Sequence, residues 1–281
     1  MNREDLSLAA FTLLVQLALG AVFAAAMLPI RLAGLADPGP LVHRLLFAAA
    51  PALLAGLGLS LFHLGRPGGA ARAVFNLRSS WLSREVLFTA LFAGLTCTAA
   101  LLHLLGFHDD NVLWLATITG LAAVFTMARL YQATIRPAWS TLYTPVSFLV
   151  TAVLLGVAAA APLVRFALVD DGLVRMLLTD MLLTGAGALA ALMVALPLYA
   201  GALSRESAAS RESLSLLTGR YALVMAIRIA LAAAGMGLLV SGQANLSLWA
   251  LGTGAAALLA GETLGRLLFF ATGVPSAVGQ L

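Results

Sequence analysis

His63 and Glu85 are the side chains in this sequence best suited to moving protons. An imidazole titrates near neutral pH and accepts a proton from a hydroxyl, and a nearby carboxylate passes that proton on. His63 ends one apolar stretch and Glu85 opens the next, so the connection 65–84 holds both at the same end of two consecutive helices. Such a couple suits proton exchange between a hydroxyl group and water. Each residue also has a plain structural reading. His63 can be a helix-end histidine bonded to a carbonyl. Glu85 can be a first-turn acid favoured by the helix dipole, with Ser83 of Trp81-Leu82-Ser83-Arg84 as its N-cap.

Five more ionisable residues lie inside apolar stretches: Arg129, Asp180, Arg228, Glu262 and Arg266. Glu262 and Arg266 are four apart, in the order that favours an ion pair on one helix face. Asp180 reads as a dipole partner or a polar contact between helices. Arg129 and Arg228 fit either an acid or a ligand carbonyl. Gln16 reads as an interhelical hydrogen-bond donor.

Other chemistries find little support. The single cysteine, Cys97, forms no internal disulfide and holds no iron–sulfur cluster, and it reads as a small buried packing residue. His63 has no second histidine in its half, while His43, His103 and His108 sit at the opposite edges, so no haem is expected. Metal-ligand spacings, phosphate loops and dinucleotide fingerprints are missing from the sequence, and Gly252-Thr253-Gly254 lies within an apolar run as a packing feature.

The elements that must position these residues follow from composition. Of 281 residues 62% are hydrophobic and 10% charged, against about 25% charged in soluble domains. A water-facing shell is not available from so few polar residues. The fold class is all-α: a polytopic integral membrane protein, one eight-helix bundle over residues 1–281. Eight windows reach the length of about 20 apolar residues needed to span a bilayer. They cover 8–30, 41–64, 85–106, 112–133, 146–166, 173–203, 221–242 and 246–271. Turn chemistry separates several of them, as in Asp37-Pro38-Gly39-Pro40, Asp109-Asp110-Asn111 and Asp170-Asp171-Gly172. The first window is too long for a signal-peptide core and lacks a net positive start, so it is expected to be a membrane helix. The glycine pairs 56/58, 185/187, 235/237 and 252/254 suit close helix approach. Ser-Arg-Glu recurs at 83–85, 204–206 and 210–212 in inequivalent settings, which gives no support to an internal repeat.

All 16 basic residues are arginines, set against 12 acids. An even number of spans places both termini on one side, called side one. That side gathers Arg3, Arg66, Arg72, Arg78, Arg84, Arg136, Arg205, Arg211 and Arg220. Side two has Arg31, Arg44, Arg165 and Arg175, offset by five aspartates. The positive-inside rule then makes side one cytoplasmic. The ionisable residues within the spans, Asp180 excepted, fall toward side one. A site exchanging protons with one aqueous phase needs charge in one half only, whereas a proton-coupled transporter needs it in both. An inert tether is the third reading.

The stretch Phe62-His63-Leu64-Gly65-Arg66-Pro67, continuing through Arg72-Ala73-Val74-Phe75-Asn76 to Ser80-Trp81-Leu82-Ser83-Arg84-Glu85, resembles the membrane-anchor subunit of the dimethyl sulfoxide reductase family of molybdoenzymes. Arg129-Leu130-Tyr131 through Trp139 to Thr144-Pro145 is similar to its fourth-to-fifth span connection, and Gly261-Glu262-Thr263-Leu264-Gly265-Arg266 to its last-span motif. The resemblance implies a bacterial inner-membrane anchor that exchanges electrons between menaquinol, or ubiquinone, and a four-cluster iron–sulfur subunit. That subunit in turn serves a molybdopterin catalytic subunit, and no haem or metal is expected in the anchor itself. It implies a quinol site at His63 and Glu85, with Arg66, Thr144 and Pro145 contributing. Arg66, Arg72, Arg78 and Arg84 are then expected to face the partner. The best-known members place termini and quinol site at the periplasmic face, whereas the arginine count here favours the cytoplasm. Related sulfite dehydrogenase anchors, which run electrons toward quinone, fit that count.

Overall fold

The computed structural model describes residues 3–60 and 76–276, with side chains from Asp5 onward. His63, Arg66 and Arg72 lie outside the described residues. Eight long helices run α1 (Arg3–Arg31), α2 (Gly39–Ser60), α3 (Trp81–Leu104), α4 (Asp110–Gln132), α5 (Tyr143–Ala167), α6 (Asp171–Arg205), α8 (Ala222–Asn245) and α9 (Leu248–Ala271). Each is long and apolar enough to cross a membrane. A short α7 (Ala208–Thr218) lies in the polar 204–220 stretch, and a 3-10 turn (Pro137–Trp139) links α4 to α5. No strand occurs among the described residues.

The turn residues become caps. Asp109 accepts from Asn111 N at 2.9 Å and Asp170 from Leu173 N at 2.8 Å. Each satisfies a backbone N–H that the first helical turn would otherwise leave unpaired. The connection from α8 to α9 is only two residues long. Leu246 takes a left-handed conformation there (φ 52°), an unfavourable one for a leucine. Its carbonyl accepts from Arg165 Nε at 3.1 Å, and Arg175 Nη1 donates to the Gln243 and Ala244 carbonyls at 3.1 and 3.0 Å. Two side-two arginines are thus spent on the C-terminal carbonyls of α8.

α1 and α5 form the centre. α1 packs against α2, α4, α5 and α9, and α5 against α1, α4, α6 and α9. Their crossing is so close that a Cβ on Gly156 would stand 2.7 Å from the Gly20 Cα, and one on Gly20 would strike the Ala152 carbonyl and the Gly156 backbone. α8 and α9 meet likewise at Gly235 and Gly254, where a Cβ on either falls within 2.9 Å of the other's carbonyl oxygen. Of the expected pairs, Gly58, Gly187, Gly237 and Gly252 meet open space. Only one member of each pair packs, because residues two apart point to different helix faces. Cys97 is half-buried rather than a core residue.

A second tie is ionic. Glu262 on α9 accepts from Thr151 on α5 at 2.5 Å and pairs with Arg228 on α8 at 3.9 Å. Arg228 also donates to the Tyr143 hydroxyl at 3.1 Å. The expected Glu262–Arg266 pair is not formed. Arg266 turns to α1 instead, where Nη2 donates to Gln16 Oε1 at 2.9 Å and the guanidinium lies 3.7 Å over the Phe148 ring. Gln16 therefore accepts rather than donates. Glu262 and Arg266 share α9, yet their partners come from α1, α5 and α8, so these polar contacts tie four helices together.

Replacing Gly156 by Leu should overpack the α1–α5 crossing and cost about 1–3 kcal/mol, read as a lower detergent melting temperature and less full-length protein in membranes. Glu262→Gln should strand Arg228 and cost on the order of 3 kcal/mol. Pairing it with Arg228→Met should restore most of that loss. A double variant no better than Glu262→Gln would show that the pair does not act as a unit.

Candidate functional site

At side one the α3 start, the α4 end and the α9 end converge around Glu85 and Tyr131. The sequence sets the local geometry. α3 begins at Trp81, four residues before the expected window, because Ser80 and not Ser83 is the N-cap and accepts from Ser83 N at 3.2 Å. Glu85 therefore sits in the second turn, turned inward and only 6% exposed. Arg84 holds the approach to the helix. It donates to the Leu77 and Arg78 carbonyls at 2.8 Å each, and its guanidinium lies 4.2 Å over Trp81. Arg129 from α4 approaches the same ring at 5.1 Å. Cation–π contacts of this kind are worth about 0.5–1 kcal/mol where exposed, and two of them fix Trp81 between α3 and α4.

Tyr131 is the hub of the wall beside Glu85. Its ring contacts Trp139, Phe148, Phe269 and Phe270 with centroids 5.3–5.7 Å apart. These residues come from the α4–α5 connection, α5 and α9, so one phenol joins three elements. Among the described residues no hydrogen bond is made by the Tyr131 hydroxyl or the Glu85 carboxyl, both on the inner side of their helices. A buried phenol normally finds a partner for its hydroxyl.

The wall is sealed from outside. Trp139 Nε1 donates to the Phe269 carbonyl at 2.9 Å and its ring stacks on Phe269 at 5.0 Å. Gly273 lies so close to Trp139 that a Cβ would stand 2.5 Å from the ring. Arg136 donates to the Gly273 carbonyl at 2.8 Å, Ser276 N to the Ile135 carbonyl at 2.9 Å, and Val274 N to Ser213 Oγ on α7 at 3.2 Å. The polar 204–220 stretch, unremarkable as sequence, thus supplies a helix that clasps the segment after α9.

The other expected site residues fall as follows. Thr144 is fully buried and donates to the Trp139 carbonyl at 2.7 Å, so its hydroxyl shapes the turn that presents Trp139. Pro145 follows it in the first turn of α5, half-buried. Arg78 is exposed, whereas Arg84 is occupied by backbone carbonyls of its own approach segment. Arg228 and Glu262 form a separate ion pair, and Arg266 bonds Gln16 on α1. On side two Arg31 and Asp180 pair with each other, and His103 meets His108 edge-on at 4.7 Å. No group of three metal-binding side chains occurs among the described residues. Tyr131 and Trp139 had no role assigned from sequence. Their signal was aromatic and amphipathic side chains at a membrane interface, which fits anchoring as well as a site.

Comparisons with known proteins bear on this geometry. A segment of 51 residues is 49% identical to a sulfite dehydrogenase subunit of Allochromatium vinosum, covering 18% of this protein and 16% of that one. A segment of 158 residues is 30% identical to a component of the anaerobic dimethyl sulfoxide reductase of Haemophilus influenzae, covering 54% of this protein and 56% of that one. These matches span about a sixth and just over half of the relatives' lengths. The family described as "DMSO reductase anchor subunit (DmsC)" matches residues 1–272. With eight membrane-length helices and a match running almost end to end, this protein belongs to the DMSO reductase anchor subunit family.

Proposed function

We propose that this protein is the quinol-reactive membrane anchor of a molybdopterin oxidoreductase. In this reading it exchanges electrons between menaquinol, or ubiquinone, and an iron–sulfur subunit in anaerobic respiration. The observation that carries the reading is the carboxyl of Glu85, buried at the membrane face where Tyr131, Trp139, Phe269 and Phe270 form an aromatic wall. A quinol headgroup is flat and apolar with two opposed hydroxyls, so it suits an aromatic wall with a polar group on either side. The residues present fit it.

The chemistry assigned to these residues is proton management. Oxidation of one quinol to quinone releases two electrons and two protons. His63 accepts a proton from a quinol hydroxyl and Glu85 passes it to water at side one, and the second proton follows the same path once His63 is cleared. Thr144 and Pro145 act through the turn that sets Trp139 in the wall, and Arg66 lies three residues after His63 in the sequence. The electrons pass to the nearest cluster of a four-cluster iron–sulfur partner, which serves the molybdopterin subunit. Arg66, Arg72 and Arg78 meet acidic partner surface, with Arg84 bracing the segment that presents Arg78. The iron–sulfur and molybdopterin groups belong to those partners.

The match to a sulfite dehydrogenase subunit favours a second reading, in which electrons run from the partner to quinone. The arginine-rich side one, with both termini, then faces the cytoplasm of a bacterial inner membrane.

Replacing His63 by Leu or Glu85 by Gln should leave the complex assembled while quinol turnover falls about 100-fold, the lower range of general acid–base contributions. Normal turnover in either variant would remove that residue from the site. A fluorescent quinol-site inhibitor should be quenched by membranes holding the complex, and no quenching would leave only a tether. Reporter fusions at the 204–220 connection should read cytoplasmic, and a periplasmic reading would reverse the orientation.

A further inference from the structure

A groove of about 620 Å³ opens on the side-two half of the bundle, between α1, α4, α5 and α6, away from the proposed quinol site. Its walls are apolar and include Met27, Val153, Leu177 and Met181. Phe23, Leu121, Leu149 and Leu183 line it and are themselves exposed, so it faces the lipid. Along α1 it runs from Leu19 to Arg31, twelve residues or about 18 Å of helical rise. One leaflet of hydrocarbon is about 15 Å thick. Along α1 the groove is therefore about as long as a single leaflet is deep, and its floor is the Gly20–Gly156 crossing, where the two backbones touch.

Its outer end is charged. Arg31 Nε donates to Asp180 Oδ2 at 2.7 Å, and Arg31 Nη2 approaches the same oxygen at 2.5 Å. Both contacts use one carboxylate oxygen, so Asp180 Oδ1 and Arg31 Nη1 have no partner among the described residues. The two side chains remain 46% and 42% exposed. This foot presents one cationic edge and one anionic oxygen side by side.

We propose that the groove binds a glycerophospholipid of the side-two leaflet carrying a phosphoethanolamine headgroup. The phosphate lies on Arg31, the ammonium on Asp180, and one acyl tail fills the slot toward Gly20. A zwitterion matches a foot of both signs. An anionic glycerol headgroup satisfies Arg31 but meets Asp180 with like charge, and a neutral quinone headgroup uses neither charge.

The test is native mass spectrometry of the full-length protein, purified with its partners in mild detergent. One phosphatidylethanolamine adduct should be retained. After delipidation and exposure to equal phosphatidylethanolamine and phosphatidylglycerol, the first should be retained about fivefold more, the discrimination expected of one exposed charge contact. Combined Arg31→Gln and Asp180→Asn should abolish that preference and lower retention. Equal or greater retention of phosphatidylglycerol by the unaltered protein overturns the proposal, as does the lack of any phospholipid adduct, or undiminished preference in the double variant. The two-lipid competition needs no variant and decides the matter if the double variant fails to assemble. Quinol turnover is read in parallel, and its loss or survival leaves this assignment untouched.

Discussion

A charge inside a lipid-facing bundle must find polar partners there, and most of this architecture follows from how that is met. Glu262 draws Thr151 from α5 and Arg228 from α8 onto α9. Arg266, one turn further along, draws Gln16 from α1. Helix packing in lipid has little hydrophobic driving force, so polar contacts and backbone proximity carry the association. Here the two devices are divided. Glycine crossings set how close α1 lies to α5 and α8 to α9, while the ionic ties set which faces meet.

The same α9 end also forms one side of the proposed site. Phe269 and Phe270 lie within one turn of Arg266 and reach Tyr131, so the ionic tie and the aromatic wall share a helix turn. Trp139 then fastens the α4–α5 connection to the α9 end through the Phe269 carbonyl. Glu85 stands in a place assembled from elements far apart in the sequence, which explains why a short motif around it is insufficient to build it. The Arg84 brace shows the same economy: a cation that looks available in sequence is used to shape the entrance to α3.

Fold class was legible because 62% apolar content and eight long runs leave few alternatives. Turn residues such as Asp109 and Asp170 marked helix starts because their side chains cap. Pairings were less legible. Glu262 and Arg266 have favourable spacing on one helix, yet interhelical partners outcompete that contact, and no local rule foresees them. The start of α3 was misplaced because Ser80 and Ser83 have equal capping chemistry and only the path of the preceding backbone selects between them. Tyr131 stood in a quoted motif without a role because its importance lies in four aromatic neighbours drawn from across about 140 residues of sequence.

The two-residue connection at Leu246 works as a ruler. Arg228 lies 18 residues before it and Glu262 16 after it, arms of about 27 and 24 Å of helical rise. Nearly equal arms on a hinge without slack bring both charges to the same depth on the far side of the bilayer. One residue inserted into α9 between that corner and Glu262 would move Glu262 by about 1.5 Å and turn it by about 100° relative to Arg228. The alignment of a buried ion pair near one membrane face is thus dimensioned by a corner at the other.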